Sequence, residues 1–176
     1  MRIIAGRWRG RIIDAPPGRK TRPTSDRVRE AWMSALQTEI ADSRVLDLFA
    51  GSGALGFELL SRGARHVTFV ERGTPALRTL KTNAGRLNLP ESEFELVRAD
   101  AVQYAARLPE LAFDLAVADP PYHEGFAAEL LQLFAQCPFA RWFWVEHAIT
   151  EALPALPGLD TRRYGDTALT SITAPE

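Results

Sequence analysis

Residues 44–63 constrain this chain more than any other stretch. An apolar run, RVLDLFA, leads straight into Gly51-Ser52-Gly53-Ala54-Leu55-Gly56 and on into the helical pattern GFELLSRG. Glu71 closes the next apolar run, 20 residues after Gly51. The spacing G-x-G-x-x-G directly after a strand, with an acid about 20 residues on, needs a tight strand-to-helix turn. The glycines let the backbone approach a ligand, and the helix start presents N–H groups with no intrahelical partner. Gly51 and Gly53 are thus candidate ligand-lining residues, and Glu71 is a candidate for ribose hydroxyls.

The same alternation continues to the end of the chain. HVTFVE, FELVRAD, FDLAVADPP and RWFWVEH read as strands. TPALRTLKTNAGRLN, AVQYAARL and FAAELLQLFAQC read as helices between them, with Thr74 expected as a cap and Pro75 at the first position. ITEAL is expected to be a short helix, and DTRRYGDTALTSITA two strands around Gly165-Asp166. Strands separated by helices imply βαβ units and a parallel sheet covered on both faces. Non-alternating apolar strands such as LAVA fit that burial. The expected fold is a Rossmann-like α/β domain, a mostly parallel seven-stranded sheet flanked by helices.

A different pattern precedes it. MRIIAG and GRIIDA read as two short strands of a small β-hairpin arm, with Gly6 and Gly10 suited to the turn. PPGRKTRP is a loop, and Thr24 or Ser25 is expected to cap a helix in which Val28, Ala31, Trp32, Ala35, Leu36 and Ile40 share one face. The net charge of −1 conceals a split. Residues 1–30 hold nine basic and three acidic residues (+6), and the remainder 12 basic and 19 acidic (−7). A basic arm on an acidic body is the asymmetry of a nucleic-acid binder. The division expected is an arm over 1–22 that contacts nucleic acid and an α/β domain over 23–176. Arg7, Arg9, Arg11, Arg19, Lys20 and Arg22 are the candidates for that contact, the first three on one strand face if that stretch is extended.

Composition limits the class further. A single cysteine, Cys137, precludes an intramolecular disulfide framework. No apolar run nears the ~18 residues of a membrane span, and no signal-peptide core opens the chain, so a cytoplasmic protein is expected. His66, His123, His147 and Cys137 lack metal-ligand spacing, so no metal is expected. Surface or capping roles are expected for His66 and His147, an approach to substrate is conceivable for His123, and Cys137 is expected in the core at a helix end.

Two acids narrow the ligand. Asp47 lies inside the first strand, where a carboxylate is costly without a partner. It could take the amino group of a methionine moiety, which favours S-adenosylmethionine over NAD. Asp100-Ala101 ends the third strand, where the acid could accept from adenine's amino group or cap the following helix.

Asp119-Pro120-Pro121-Tyr122 ends the fourth strand. Two prolines remove two backbone donors and hold the chain extended. What remains are acceptors: the Asp119 carboxylate and the Pro120 carbonyl. They suit an exocyclic amino group of a base, whose two hydrogens can be held while the lone pair attacks a methyl. Tyr122 can stack on that base.

These motifs resemble those of class I S-adenosylmethionine-dependent methyltransferases with a DPPY motif. More specifically, MRIIAGRWRGR, TRPTSDRVREA, LDLFAGSGALGFELLSRGA and ADPPY resemble the RsmD family, which methylates guanine N2 in small-subunit (16S) ribosomal RNA. The resemblance spans nearly the whole chain. It implies that Asp47, Gly51 and Gly53 line the methionine half of the cofactor. It gives the ribose to Glu71, the adenine to Asp100 and Ala101, and the target base to Asp119, Pro120 and Tyr122. The helix start at RPTSDRVRE would close over the methionine end. It also implies small-subunit ribosomal RNA as partner, within a ribosomal particle, and a monomer is the expectation for one small domain. The competing readings are an amino methyltransferase acting on DNA adenine N6 or cytosine N4, a protein-glutamine methyltransferase, an NAD-linked oxidoreductase, and an RNA-binding module without catalysis. The DNA enzymes usually carry a recognition domain for which this chain has little room, and the oxidoreductase leaves DPPY unexplained.

Overall fold

A computed structural model describes residues 1–15 and 26–175. Its elements run α1 (Asp26–Ala35), β1 (Arg44–Leu48), α2 (Ala54–Ser61), β2 (His66–Val70), α3 (Thr74–Arg86), β3 (Phe94–Val97), α4 (Ala101–Ala105), β4 (Phe113–Ala118), α5 (Phe126–Gln136), β5 (Ala140–Ala148), β6 (Asp160–Tyr164) and β7 (Thr167–Thr173). Among the described residues the strands form one seven-stranded sheet in the order β3-β2-β1-β4-β5-β7-β6. The first five are parallel, and β7 runs antiparallel to β5 and β6. Among the described residues no helix is long and apolar enough to cross a membrane.

Alternate residues of each central strand face opposite layers. Val45, Val67, Phe69, Leu115 and Val117 pack with α1, α2, α3 and the amino-terminal segment. Leu46, Leu48, Ala116, Ala118 and Phe143 pack with α4 and α5. Both faces are buried, which explains why these strands read as continuous apolar runs.

The amino-terminal segment is fastened to this core. Ile3, Trp8 and Ile13 are buried within it. Glu58 of α2 is fully buried and accepts from Ile4 N at 2.8 Å and Ala5 N at 3.0 Å. Ser61 continues the clasp, its O accepting from Arg7 N and its Oγ from Trp8 N. The expected paired strands shrink to a single antiparallel bridge, Arg2 to Ile12. Gly6 and Gly10 do turn the chain, at φ 82° and 83°. Because residues 5–10 bend and turn, Arg7, Arg9 and Arg11 do not line one face of an extended strand.

A Cβ on Gly6 would sit 1.8 Å from the Ser61 carbonyl oxygen. Gly6→Ala is therefore expected to push the segment off α2. The left-handed backbone costs ~1–2 kcal/mol for any other residue. Broken buried hydrogen bonds add ~1–3 kcal/mol. At ~2–4 °C per kcal/mol for a domain of this size, the melting temperature should drop by ~5–15 °C, with a red shift in the emission of the released Trp8. An unchanged melting curve and emission would show that the packing of this turn is slack.

Other boundaries moved for identifiable reasons. Helix α1 ends at Ala35, although Leu36 and Ile40 beyond it are buried as the periodicity requires. Thr24 and Ser25 lie outside the described residues. The cap of α3 is Gly73, not Thr74, and Pro75 sits in the first turn as expected. ITEAL forms a turn rather than a helix. Ile149 N bonds Asp166 O, Glu151 accepts from Ala148 N, and Pro154 follows too soon for a helix to propagate. Cys137 is exposed at the end of α5, not in the core. His147 is buried rather than at the surface, its Nε2 2.8 Å from Thr170 Oγ1.

Candidate active site

The chain leaves β1 outward in both directions along the sheet, to β2 and β3 on one side and β4 on the other. In such sheets ligands sit outside the carboxyl ends of the strands at this switch point. The Gly51–Gly53 loop follows β1, and Asp119-Pro120-Pro121-Tyr122 follows the adjacent β4. The two sequence motifs therefore flank one crevice.

The glycine loop opens in strained backbone. Phe49 has φ 59°, left-handed for a bulky residue, and its ring packs 5.1 Å from that of Phe126. Gly51 and Gly53 follow at φ 56° and 82°. Gly53 is close-packed, since a Cβ there would meet Leu80 and Phe57 at 2.5 Å. Gly51 is open, with nothing nearer than its own neighbour's Phe49 O at 3.9 Å. Backbone exposed in this way is where a ligand can approach. Gly56 has a structural task instead: a Cβ would strike Phe69 at 2.3 Å and Asp47 Oδ2 at 2.8 Å.

Asp47 is buried on β1, and Oδ2 accepts from Gly56 N at 3.0 Å. Burial pushes its carboxyl up to about 8; the Gly56 hydrogen bond opposes this, while the negative charges of Asp119 and Glu71 add to it. Three acids thus face a common region. Such a site suits a cation, and an ammonium or sulfonium placed there would restore ionised Asp47. Glu71 closes the loop from β2, with Oε2 accepting from Gly51 N at 3.0 Å and Oε1 from Gly73 N at 2.7 Å. Asp100 caps α4 by accepting from Gln103 N at 3.0 Å, and its other oxygen lies 3.9 Å from Arg72 Nη1. A cavity of about 20 Å³ lies between Phe49, Glu71, Arg72, Ala99, Ala101 and Pro121, so it joins the glycine-loop side to the DPPY side. A larger open cleft of about 460 Å³, lined by Glu39, Asp42, Asp114 and Arg141, contains none of the motif residues.

Asp119 and Tyr122 are half-buried, and Pro120 is buried. The Tyr122 hydroxyl donates to Glu146 Oε1 at 2.5 Å and lies 3.0 Å from Thr167 Oγ1. His123, exposed at φ 62°, meets the Tyr122 ring edge-on at 6.4 Å.

The basic candidates stand apart from this crevice in their contacts. Arg7 pairs with Glu93 and stacks 4.0 Å over Trp8. Arg11 donates to the carbonyl of Arg86 at 2.5 Å. Arg9 is exposed. Arg19, Lys20 and Arg22 lie outside the described residues. Among the described residues no group of acids, histidines and cysteine could hold a metal ion.

Three residues here escaped the sequence reading: Glu58, Asn83 and Glu146. Glu58 and Glu146 sit in apolar runs, so the argument that singled out Asp47 would have found them. Asn83 is a fully buried amide whose Nδ2 donates to Asp14 O and Ser52 O, each at 3.0 Å.

The sheet order, the glycine loop and the acid-ended β2 define a class I methyltransferase. A family model described as conserved hypothetical protein 95 matches residues 1–172. The chain is 34% identical over 160 residues to ribosomal RNA small subunit methyltransferase D of Escherichia coli, covering 89% of this chain and 79% of that protein. It superposes on the structure of the putative methyltransferase yhhF from E. coli with a TM-score of 0.82 and 32% identity, over 97% of this chain and 96% of that one. At 22% identity and a TM-score of 0.69 it shares the fold of the Thermus thermophilus 16S rRNA guanine-N2 methyltransferase RsmC, solved with AdoMet and guanosine, over 92% of this chain and 45% of that one. The chain belongs to the ribosomal RNA small subunit methyltransferase D family.

Proposed function

We propose that this protein transfers a methyl group from S-adenosylmethionine to the exocyclic N2 amino group of a guanine in small-subunit ribosomal RNA, presented within a ribosomal particle. The observation that carries this reading is the DPPY loop after β4, whose two prolines offer no backbone donor and leave the Asp119 carboxylate and the Pro120 carbonyl as acceptors, beside the glycine loop that ends β1. Membership of a family named for methylation of small-subunit ribosomal RNA supports the substrate.

The residues fit the cofactor. Gly51 leaves open space for its backbone-hugging half, and Asp47, Glu71 and Asp119 form a negatively charged neighbourhood for its two cationic groups. In this reading Asp47 takes the ammonium, Glu71 the ribose, and Asp100 with Ala101 the adenine. Bound S-adenosylmethionine supplies an electrophilic methyl on a sulfonium.

The chain's own work is then positioning and electrostatics. Unstacking the guanine costs a few kcal/mol, met by the pocket and by Tyr122. Asp119 and the Pro120 carbonyl accept the two N2 hydrogens. That grip turns the nitrogen lone pair toward the methyl. With the methyl supplied by the bound cofactor, Asp119 or solvent would take the surplus proton of the methylated nitrogen. Residues 1–22 serve as the RNA-contacting arm, with Arg9 exposed and Arg7 and Arg11 able to exchange their surface partners for phosphates. The enzyme works as a metal-free monomer in the cytoplasm.

Methylation of small subunits purified from a strain lacking this activity, followed by nucleoside analysis, tests the reading. N2-methylguanosine in the ribosomal RNA is expected; label on adenine N6 or cytosine N4, or none, would overturn it. The logarithm of RNA affinity should fall with the logarithm of salt concentration, with a slope of ~0.7–0.9 per phosphate neutralised. A flat response would remove the arm from the interface.

A further inference from the structure

Glu146 is buried on β5 at 3% exposure, yet it belongs to none of the motifs that define the reaction. Oε1 accepts from the Tyr122 hydroxyl at 2.5 Å, and Oε2 accepts from Trp32 Nε1 at 3.0 Å. The hydroxyl is also 3.0 Å from Thr167 Oγ1 on β7. Packing alone would be served at least as well by an apolar side chain, because a buried carboxylate is costly even when it is paired. The geometry instead gives the Tyr122 ring three attachments, to β5, to β7 and through Trp32 to α1.

A tyrosine side chain turns about two bonds. Fixing its far end fixes both, and with them the plane of the ring. We infer that Glu146 is a positioning residue for methyl transfer: it sets the plane of the Tyr122 ring on which the target guanine stacks, and through Trp32 it fastens that ring to α1. The inference rests on the proposed function above. Burial and the Glu146 bond raise the Tyr122 hydroxyl well above its usual range, so it stays a donor and takes no proton from the base.

Glutamine can satisfy the same network. Its amide oxygen accepts from Trp32 Nε1, its NH2 donates to the Tyr122 oxygen, and the hydroxyl turns to donate to Thr167. Alanine can satisfy none of it. A double-mutant cycle reads the difference. Methyl transfer to small subunits is measured for wild type, Glu146→Ala, Glu146→Gln, Tyr122→Phe and the Glu146→Ala/Tyr122→Phe pair. Glu146→Ala should lower kcat by about 10- to 100-fold, the scale of an ångström-sized misplacement. KM for S-adenosylmethionine should stay within about twofold, since no cofactor contact is lost. Tyr122→Phe should lower kcat in the wild-type background but by less than about twofold once Glu146 is alanine. Glu146→Gln should recover most of the lost kcat.

Multiplying losses in the pair, or a glutamine variant as poor as alanine, would overturn the positioning role. If Glu146→Ala does not fold, as judged by circular dichroism, the cycle of Trp32→Phe against Tyr122→Phe replaces it with the same criterion. Wild type that makes no N2-methylguanosine would overturn the parent reading; active wild type with multiplying losses would overturn only this one.

Discussion

Asp119→Ala is expected to lower methyl transfer by at least ~10³-fold, at the upper end of what removal of one preorganised electrostatic group does. The variant loses the carboxylate that grips the amino group and, with it, the candidate proton acceptor. Cofactor binding should survive, because the backbone of β1 and the Glu71 bonds to Gly51 and Gly73 are untouched. The negative charge of Asp119 is also one cause of the raised Asp47 carboxyl. Its removal should therefore let Asp47 ionise at lower pH, which offsets the lost attraction of Asp119 for the cationic cofactor and leaves affinity for S-adenosylmethionine largely intact. Single-turnover transfer and equilibrium cofactor binding separate the two effects. Near wild-type turnover in Asp119→Ala would end its catalytic assignment.

The second large effect concerns Asp47. Its carboxyl, pushed up to about 8 by burial, is protonated in the ligand-free protein at neutral pH. The sign of the pH dependence follows. Between about 4 and 8 the unfolded chain has lost this proton and the folded chain has not. The folded state thus binds more protons, and its stability falls as pH rises through that window. Asp47→Asn should flatten that slope. Placing the cofactor's ammonium beside Asp47 reverses the preference, so S-adenosylmethionine should expel close to one proton at pH 7. Calorimetry in two buffers of different ionisation enthalpy would read this, and the release should vanish in Asp47→Asn. Cofactor affinity should fall by ~10- to 100-fold in that variant, the worth of a hydrogen bond to a charged group at ~1.5–3 kcal/mol. Proton release unchanged in the variant would place the ammonium elsewhere.

The legible and the illegible parts of this chain differ in physical kind. The parallel sheet was readable because two-sided burial writes itself as apolar runs, and the crevice because its loops are set by local backbone demands at Gly51, Gly53, Pro120 and Pro121. Asp47 was readable because a lone carboxylate in a strand needs a reason. The amino-terminal segment was misread because its conformation is dictated by a partner far along the chain. Glu58 takes the N–H groups of Ile4 and Ala5 from 54 and 53 residues away, so no local pattern marks where the strands stop. ITEAL failed similarly, since Ile149 N bonds Asp166 O and extends the β5–β7 pairing by a step where a helix was expected to begin. Glu146 was passed over because RWFWVEH read so well as a buried strand that its acid drew no question.

Asn83 carries one further consequence. A single amide bonds both Asp14 of the amino-terminal segment and Ser52 in the glycine loop. Its Oδ1 also takes Asp14 N at 2.9 Å. Displacement of either segment strains the same three bonds. Thermodynamic reciprocity then makes any tightening symmetric: whatever an occupied glycine loop adds to the hold on the arm, an engaged arm returns in equal measure to the loop. The glycine loop and the arm would feel each other through the bonds of one asparagine.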